Sequence, residues 1–261
     1  MITLKTAAQM AKMAEAGTVV AAMLEACRGA VHPGATTAEL DKIAAEVLRK
    51  AGATSSFLGY STPPYPATIC TSVNQEIVHG IPSPKRKLRE GDIVSIDAGA
   101  IVDGWHADAA ITVPVGKVSS EAARLIEVTQ QALEIGIASA KVGGRIGDIG
   151  VAVEEFVRGH GLSVVHNYVG HGIGRAMHEE PQVPNYPPTK GQPNPPISEG
   201  LCIAIEPMVN VGGPGTRTLA DQWTVVTADG SLSAHFEHTL ACTAAGPIVL
   251  TRAGAAVVVA A

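Results

Sequence analysis

Four carboxylates stand where apolar strands are expected. Asp97 ends the run IVSID, Asp108 opens ADAAITV, Glu206 ends CIAIE, and Glu237 lies in FEHTLAC. An ionised carboxylate is rarely tolerated in such a setting unless something offsets its desolvation. Any one of them alone reads as a turn or cap acid. Four that converge would repel one another, and without a counter-charge some would stay protonated. Two divalent cations cancel four negative charges, so the arithmetic points to a dinuclear metal site.

Nine histidines are available to complete it. His171 sits in YVGHGIG, where flanking glycines allow the backbone to approach an ion or ligand closely. His178 follows in MHEEP, and His79 lies on a glycine-containing turn, VHGIP. His106, His235 and His238 adjoin the carboxylates and read as groups that support ligands rather than as ligands. His32, His160 and His166, beside helix ends or strand starts, read as ordinary imidazoles.

Several other chemistries drop out. His178-Glu179-Glu180 is not HExxH, so the single-zinc protease helix is missing. The glycines at 143–144 and 212–215 lack the Lys-Ser/Thr of a P-loop. No strand–GxGxxG–helix unit surrounds Gly170 to Gly174, and no GxSxG elbow occurs. Cys27, Cys70, Cys202 and Cys242 are scattered singly without a CxxC, which signals neither a thiolate zinc site nor a redox pair. Each is expected as a buried free thiol.

The elements that must position these residues follow from pattern. Ala-rich stretches 4–30 and 38–51 predict helices, the second opening on the capping-box spacing Thr36 to Glu39 and closing at Gly52. Further helices are expected at 119–141 and 148–159, and strands at 93–96, 109–115, 163–166, 201–205, 223–227 and 235–243. Helix pairs followed by strand groups, without regular alternation, favour an α+β fold. The order occurs twice: a shift of 109 positions lays Gly34 on Gly143, Gly52 on Gly161, Gly91 on Gly200, and EGDIVSID over EGLCIAIE. That implies a duplicated unit with pseudo-twofold symmetry, one catalytic domain over 1–261 with halves of roughly 5–115 and 116–250. Residues 181–196 carry seven of the 17 prolines and read as a stiff surface loop.

Composition limits the partners. The chain has 261 residues, 46% hydrophobic and 16% charged, enough for a sizeable core and incompatible with disorder throughout. Acids exceed bases, 24 to 19, which argues against gripping phosphate backbones and against specific DNA binding. No apolar run reaches the about 18 residues of a membrane span, and the start MITLKTAAQMAK has no signal-peptide core. A soluble, cytoplasmic, monomeric protein is expected. The basic run Lys85-Arg86-Lys87-Leu88-Arg89 reads as a solvated turn.

The set His79 in VHGIP, Asp97 in SIDAG, Asp108 in HADAA, His171 in YVGHGIGRAMHEEPQV, Glu206 in IEPMV and Glu237 in FEHT resembles the type I methionine aminopeptidases. The resemblance runs from about residue 5 to about residue 250. It implies the pita-bread α+β fold of creatinase and aminopeptidases, two pseudo-twofold-related halves around a central antiparallel sheet, in its short form without an N-terminal extension. It also implies five metal ligands: Asp108 and Glu237 bridging two cations, Asp97 holding one, His171 and Glu206 the other. One imidazole among four carboxylates suits Mn, Fe or Co, with Zn also within reach.

The activity so implied is removal of the initiator methionine from nascent chains when the second residue is small. The resemblance implies that two cations held by these residues would supply a hydroxide for attack on the first peptide carbonyl. His178 would bind the carbonyl oxygen, His79 would contact the peptide nitrogen, and Glu206 would relay protons. Tyr65, Cys70, Met177 and Trp223 match positions lining the methionine slot. Met177 stands where many relatives carry an aromatic, and Gly59 and Thr62 replace bulkier neighbours, which implies a wider slot. A monovalent cation would sit near Asn74, Glu76 and Ser231. Ribosome contact through the run Lys85 to Arg89 accompanies the nascent-chain substrate. Two other readings are an X-Pro aminopeptidase or prolidase of the same fold, whose extra N-terminal domain has no room here, and a non-catalytic binding homologue, which would have lost ligands that this chain keeps.

Overall fold

The computed structural model describes residues 1–252. Helix α1 (Ala7–Ala30) begins where Thr6 and Gln9 cap each other reciprocally, three residues later than composition alone predicts. Its buried positions Met13, Ala16, Val20, Met23 and Cys27 recur every three or four residues and make one core-facing stripe. Helix α2 (Thr37–Ala51) has the expected Thr36–Glu39 capping box and stops at Gly52, left-handed at φ 65°. Strands β1 (Thr54–Ser55), β2 (Ile69–Val73), β3 (Glu76–Val78), β4 (Ile93–Val102) and β5 (Trp105–Pro114) follow.

The second half repeats the order with α3 (Ser120–Ser139) and α4 (Ile146–Gly159). After them come β6 (Ser163–Val164), β7 (Gly170–Gly172), β8 (Glu179–Val183), β9 (Cys202–Ile205) and β10 (Met208–Asn210). Strands β11 (Thr216–Thr218), β12 (Val225–Thr227), β13 (Ser233–His235), β14 (Glu237–Thr243) and β15 (Gly246–Val249) complete the described chain. The starts of α2 and α4, at Thr37 and Ile146, lie 109 residues apart, as do the starts of β4 and β9 at Ile93 and Cys202. The expected span 1–261 includes residues 253–261, which lie outside the described residues.

The main sheet runs β1-β4-β5-β14-β9-β7-β8, with β2 added on β4 and β15 on β14. All its pairings among the described residues are antiparallel. Helix α1 packs on β4, β5 and α2, while α3 packs on α4 and touches β13 and β14. One buried apolar cluster joins the helices to the sheet, from Val20 and Leu40 through Ile96 and Ile111 to Leu133, Ile149 and Ile203.

Three expectations are corrected. Asp97 does not end a strand and Asp108 does not open one, because β4 and β5 form one long hairpin turned at Asp103 and Gly104, both at positive φ (50° and 74°). The Asp-Gly pair suits a tight two-residue turn that matches strand twist. The sequence 235–243 is not one strand, since Phe236 separates β13 from β14. The proline-rich loop also starts later than expected, because residues 181–183 belong to β8.

Candidate active site

Register brings the carboxylates together. Asp97 on β4 and Glu237 on β14 both lie opposite Ala110 of β5, one from each side. Asp108 is two residues before Ala110 on the same strand, so the period of two puts all three on one face. Thr239 fixes Asp108 through its main chain: its hydroxyl accepts from the Asp108 N–H (2.9 Å) and donates to the Asp108 carbonyl (2.8 Å). Glu206 follows directly on β9, whose Ile205 pairs with His238. His171 lies on β7, and the next residue, Gly172, pairs with Ile203 of β9.

The glycines around His171 serve a different purpose from the one expected. A Cβ on Gly170 would lie 2.3 Å from the Ala204 carbonyl oxygen, and one on Gly172 2.3 Å from that of Glu180. They let β7 sit tightly between β9 and β8, and the close approach is to protein backbone. The His171 Nδ1 lies 2.9 Å from the Gly172 carbonyl oxygen. A carbonyl only accepts, so Nδ1 carries the proton and Nε2 presents its lone pair to the carboxylates.

Two trios of donor atoms cluster here, Asp108–His171–Glu237 and Glu206–His235–Glu237, with Glu237 common to both. Asp97 belongs to neither trio. Burial holds Asp97, Asp108, Glu206 and Glu237 above the usual carboxylate range, and the mutual repulsion of their charges pushes Asp108, Glu206 and Glu237 further. Asp97 Oδ1, Asp108 Oδ1, Glu237 Oε1 and His235 Nε2 are buried without a hydrogen-bond partner. Buried polar atoms are seldom left so. A divalent cation would satisfy them, and an oxygen-rich set with imidazole suits such an ion.

Beside the carboxylates opens a cavity of about 150 Å³. Tyr65, Cys70, Met177 and Trp223 wall it, as the resemblance implied, together with Phe57 and Tyr60. Tyr65 and Trp223 meet edge to face at 5.1 Å, and the Tyr65 hydroxyl donates to the Gly80 carbonyl (2.9 Å). Gly59 and Thr62 do not line the cavity; Phe57, Tyr60 and Ser61 of the same loop do.

His79 and His178 both reach the cavity. His79 has φ 60°, a left-handed backbone that a non-glycine residue rarely adopts and that costs about 1–3 kcal/mol. Burial keeps His79 neutral, its pKa lowered to about 4, and also lowers that of His178. The His178 ring lies 4.2 Å from that of His171, tilted by 58°, and its Nδ1 lies 2.5 Å from the Tyr60 hydroxyl.

A family model described as metallopeptidase family M24 matches residues 11–244. The chain belongs to this family. Among the M24 relatives, methionine aminopeptidase 1 of Bacillus subtilis is 48% identical, with 97% of this chain covering 100% of that protein. Methionine aminopeptidase of Clostridium acetobutylicum is 47% identical, covering 96% and 99%. The crystal structure of methionine aminopeptidase from Thermotoga maritima superposes with TM-score 0.93 at 41% identity over 97% of this chain and all of that one. Prolidase from Pyrococcus furiosus shares the fold, TM-score 0.75 at 20% identity, and this chain covers 65% of it. The architecture is the pita-bread fold.

In this M24 chain the remaining expectations fall as follows. His106 and His238 hydrogen-bond Ser56 (2.9 Å) and Thr251 (2.8 Å), and the four cysteines are free and buried. Asn74 and Ser231 carbonyls accept from Ser233 N–H (2.9 Å) and the Thr227 hydroxyl (2.8 Å), while the Glu76 carboxylate accepts from Val73 N–H (2.7 Å). Lys85, Arg86, Lys87 and Arg89 are exposed and Leu88 is buried. Sequence reasoning missed Tyr60, Phe57 and Ser61. The one available signal was an aromatic pair bracketing Gly59 in a stretch without periodicity.

Proposed function

We propose that this M24 metallopeptidase is a methionine aminopeptidase, acting in the cytoplasm as a single-domain monomer on the N-termini of nascent chains whose second residue is small. The observation that carries the reading is one small cavity in which the carboxylates share the walls with sulfur and aromatic groups. Met177, Cys70 and the edges of Tyr65 and Trp223 suit an unbranched thioether. With cations bound there, the free α-amine that only a chain terminus possesses would serve as a further ligand to one of them.

Asp97, Asp108, His171, Glu206 and Glu237 would hold two divalent cations, drawn from Co, Mn, Fe and Zn. When bound, such ions lower the pKa of water towards neutrality and polarise the scissile carbonyl. The chain's own groups do the rest. With the Tyr60 hydroxyl donating to His178 Nδ1, Nε2–H would be the donor for the scissile carbonyl oxygen. His79 hydrogen-bonds the peptide nitrogen, and the Glu206 carboxylate carries a proton towards the departing amine. The Asn74 and Ser231 carbonyls each keep a second lone pair for a monovalent cation near Glu76. The exposed basic run from Lys85 to Arg89 is the candidate ribosome contact, and co-sedimentation lost on its neutralisation would support it.

Hydrolysis of Met-Ala-Ser and Ala-Pro-Ser peptides, assayed side by side, tests the reading. Methionine release from the first, dependent on divalent cation, is expected. Preference for the second would move the chain to the X-Pro class.

A further inference from the structure

The polar group in the centre that neither the ligand set nor the mechanism uses is the imidazole of His235. It is 2% exposed, and its Nε2 has no hydrogen-bond partner. His32, His106, His160, His166, His171, His178 and His238 all place a ring nitrogen in a hydrogen bond; His235 does not.

Its placement is rigid. The His235 N–H donates to the Thr112 hydroxyl (2.9 Å), which donates back to the His235 carbonyl (2.8 Å), and Ser95 braces that hydroxyl from the next strand (2.9 Å). Phe236 is buried in the main apolar cluster, so His235 and Glu237 leave the chain on the opposite side, towards the carboxylates. The imidazole therefore faces the site because the backbone holds it there.

The spans are those of ligands around an ion. His235 Nε2 lies 3.7 Å from Glu206 Oε2, and His171 Nε2 lies 3.7 Å from Glu206 Oε1. Both exceed the usual limit of a hydrogen bond, about 3.2 Å. Two ligand bonds of about 2.1 Å opening to roughly 120° span about 3.6 Å. The Glu206 carboxylate thus lies between two imidazoles, one facing each oxygen, and His235 forms a compact donor trio with Glu206 and Glu237.

We propose that His235 is a sixth protein ligand of the centre, giving its Nε2 to a divalent cation shared with Glu206 and Glu237. The inference rests on the dinuclear reading above and deepens it: the centre holds two imidazoles, which makes its donor set softer than four carboxylates with one imidazole.

The test is X-ray absorption at the cobalt edge on the full chain, stripped by chelator and reloaded with two equivalents of Co(II), for the unsubstituted protein and His235→Gln. The expected result is two imidazoles per pair of cobalt ions, falling to one in the variant. One imidazole per pair in the unsubstituted protein overturns the proposal, including the case in which His235 merely hydrogen-bonds Glu206, and leaves the dinuclear reading standing. Failure to retain cobalt at all overturns both. The count in the unsubstituted protein decides even if the variant does not fold.

Discussion

Asp108 is held at both its main-chain atoms by Thr239, which fixes the strand position from which its carboxylate reaches the site. Asp108→Asn keeps the shape and removes the charge. Titration calorimetry with Mn(II) and a methionine-release assay should show a loss beyond the about 10–100-fold typical of residues that only support a ligand. Tyr60→Phe removes the hydroxyl beside His178 Nδ1 and frees that ring to turn. A fall in kcat of about tenfold, equivalent to about 1.4 kcal/mol, with KM little changed, is expected from steady-state kinetics. His238 titrates with a definite sign. Burial, then the Arg252 charge, lowers its pKa to about 4. Its neutral form is the folded one, so its contribution is complete above the unfolded value near 6.5 and is lost as pH falls towards 4. His238→Gln should flatten the decline in Tm over that window, read by calorimetry on the cation-loaded chain. The carboxylates were legible in the sequence because charge inside apolar runs demands an explanation. Tyr60 was not, since a loop aromatic carries no period that points it anywhere, and His235 reads from sequence only as a group supporting the ligands, because the strand break at Phe236 that aims its ring is a tertiary feature.

Strand register converts scattered residues into a site, and short contacts between elements hold that register. Gly172→Ala would drive a methyl group into the Glu180 carbonyl oxygen, 2.3 Å away, prising β7 from β8 and moving His171. Overpacking of this kind costs about 1–3 kcal/mol, and urea denaturation should show it alongside weakened cation binding. Lys5, with a 1% exposed side chain, anchors the segment before α1 to Glu179 at 2.6 Å, one residue from His178. Lys5→Met leaves Glu179 partly buried without its cation and should cost about 3 kcal/mol by the same measurement. The four helices were legible to within three residues because caps and apolar stripes are local. Strands such as β2, buried at all five positions, show no alternation, and β7 and β10 are three residues long. Tertiary pairing defines those, and no local window contains it. The hairpin of β4 and β5 was read short because polar His106 and Asp108 interrupt its apolar pattern near the turn.

The molecule as a whole places carboxylates from both halves of the chain against one another beneath a cavity sized for a single side chain. Asp97 and Asp108 come from the first half, Glu206 and Glu237 from the second, at strands β4, β5, β9 and β14, which are neighbours in the main sheet. Packing that many acids together is unfavourable in the absence of counter-ions, and their raised pKa values express it. Cation binding and peptide hydrolysis should therefore be inseparable. The deciding measurement is methionine release from Met-Ala-Ser by the chelator-stripped chain, repeated as Co(II) or Mn(II) is added back in a graded series. No release without cation, and recovery that follows cation occupancy, is the predicted result. Full release by the stripped chain, or none at any cation concentration from a folded protein, would contradict the assignment.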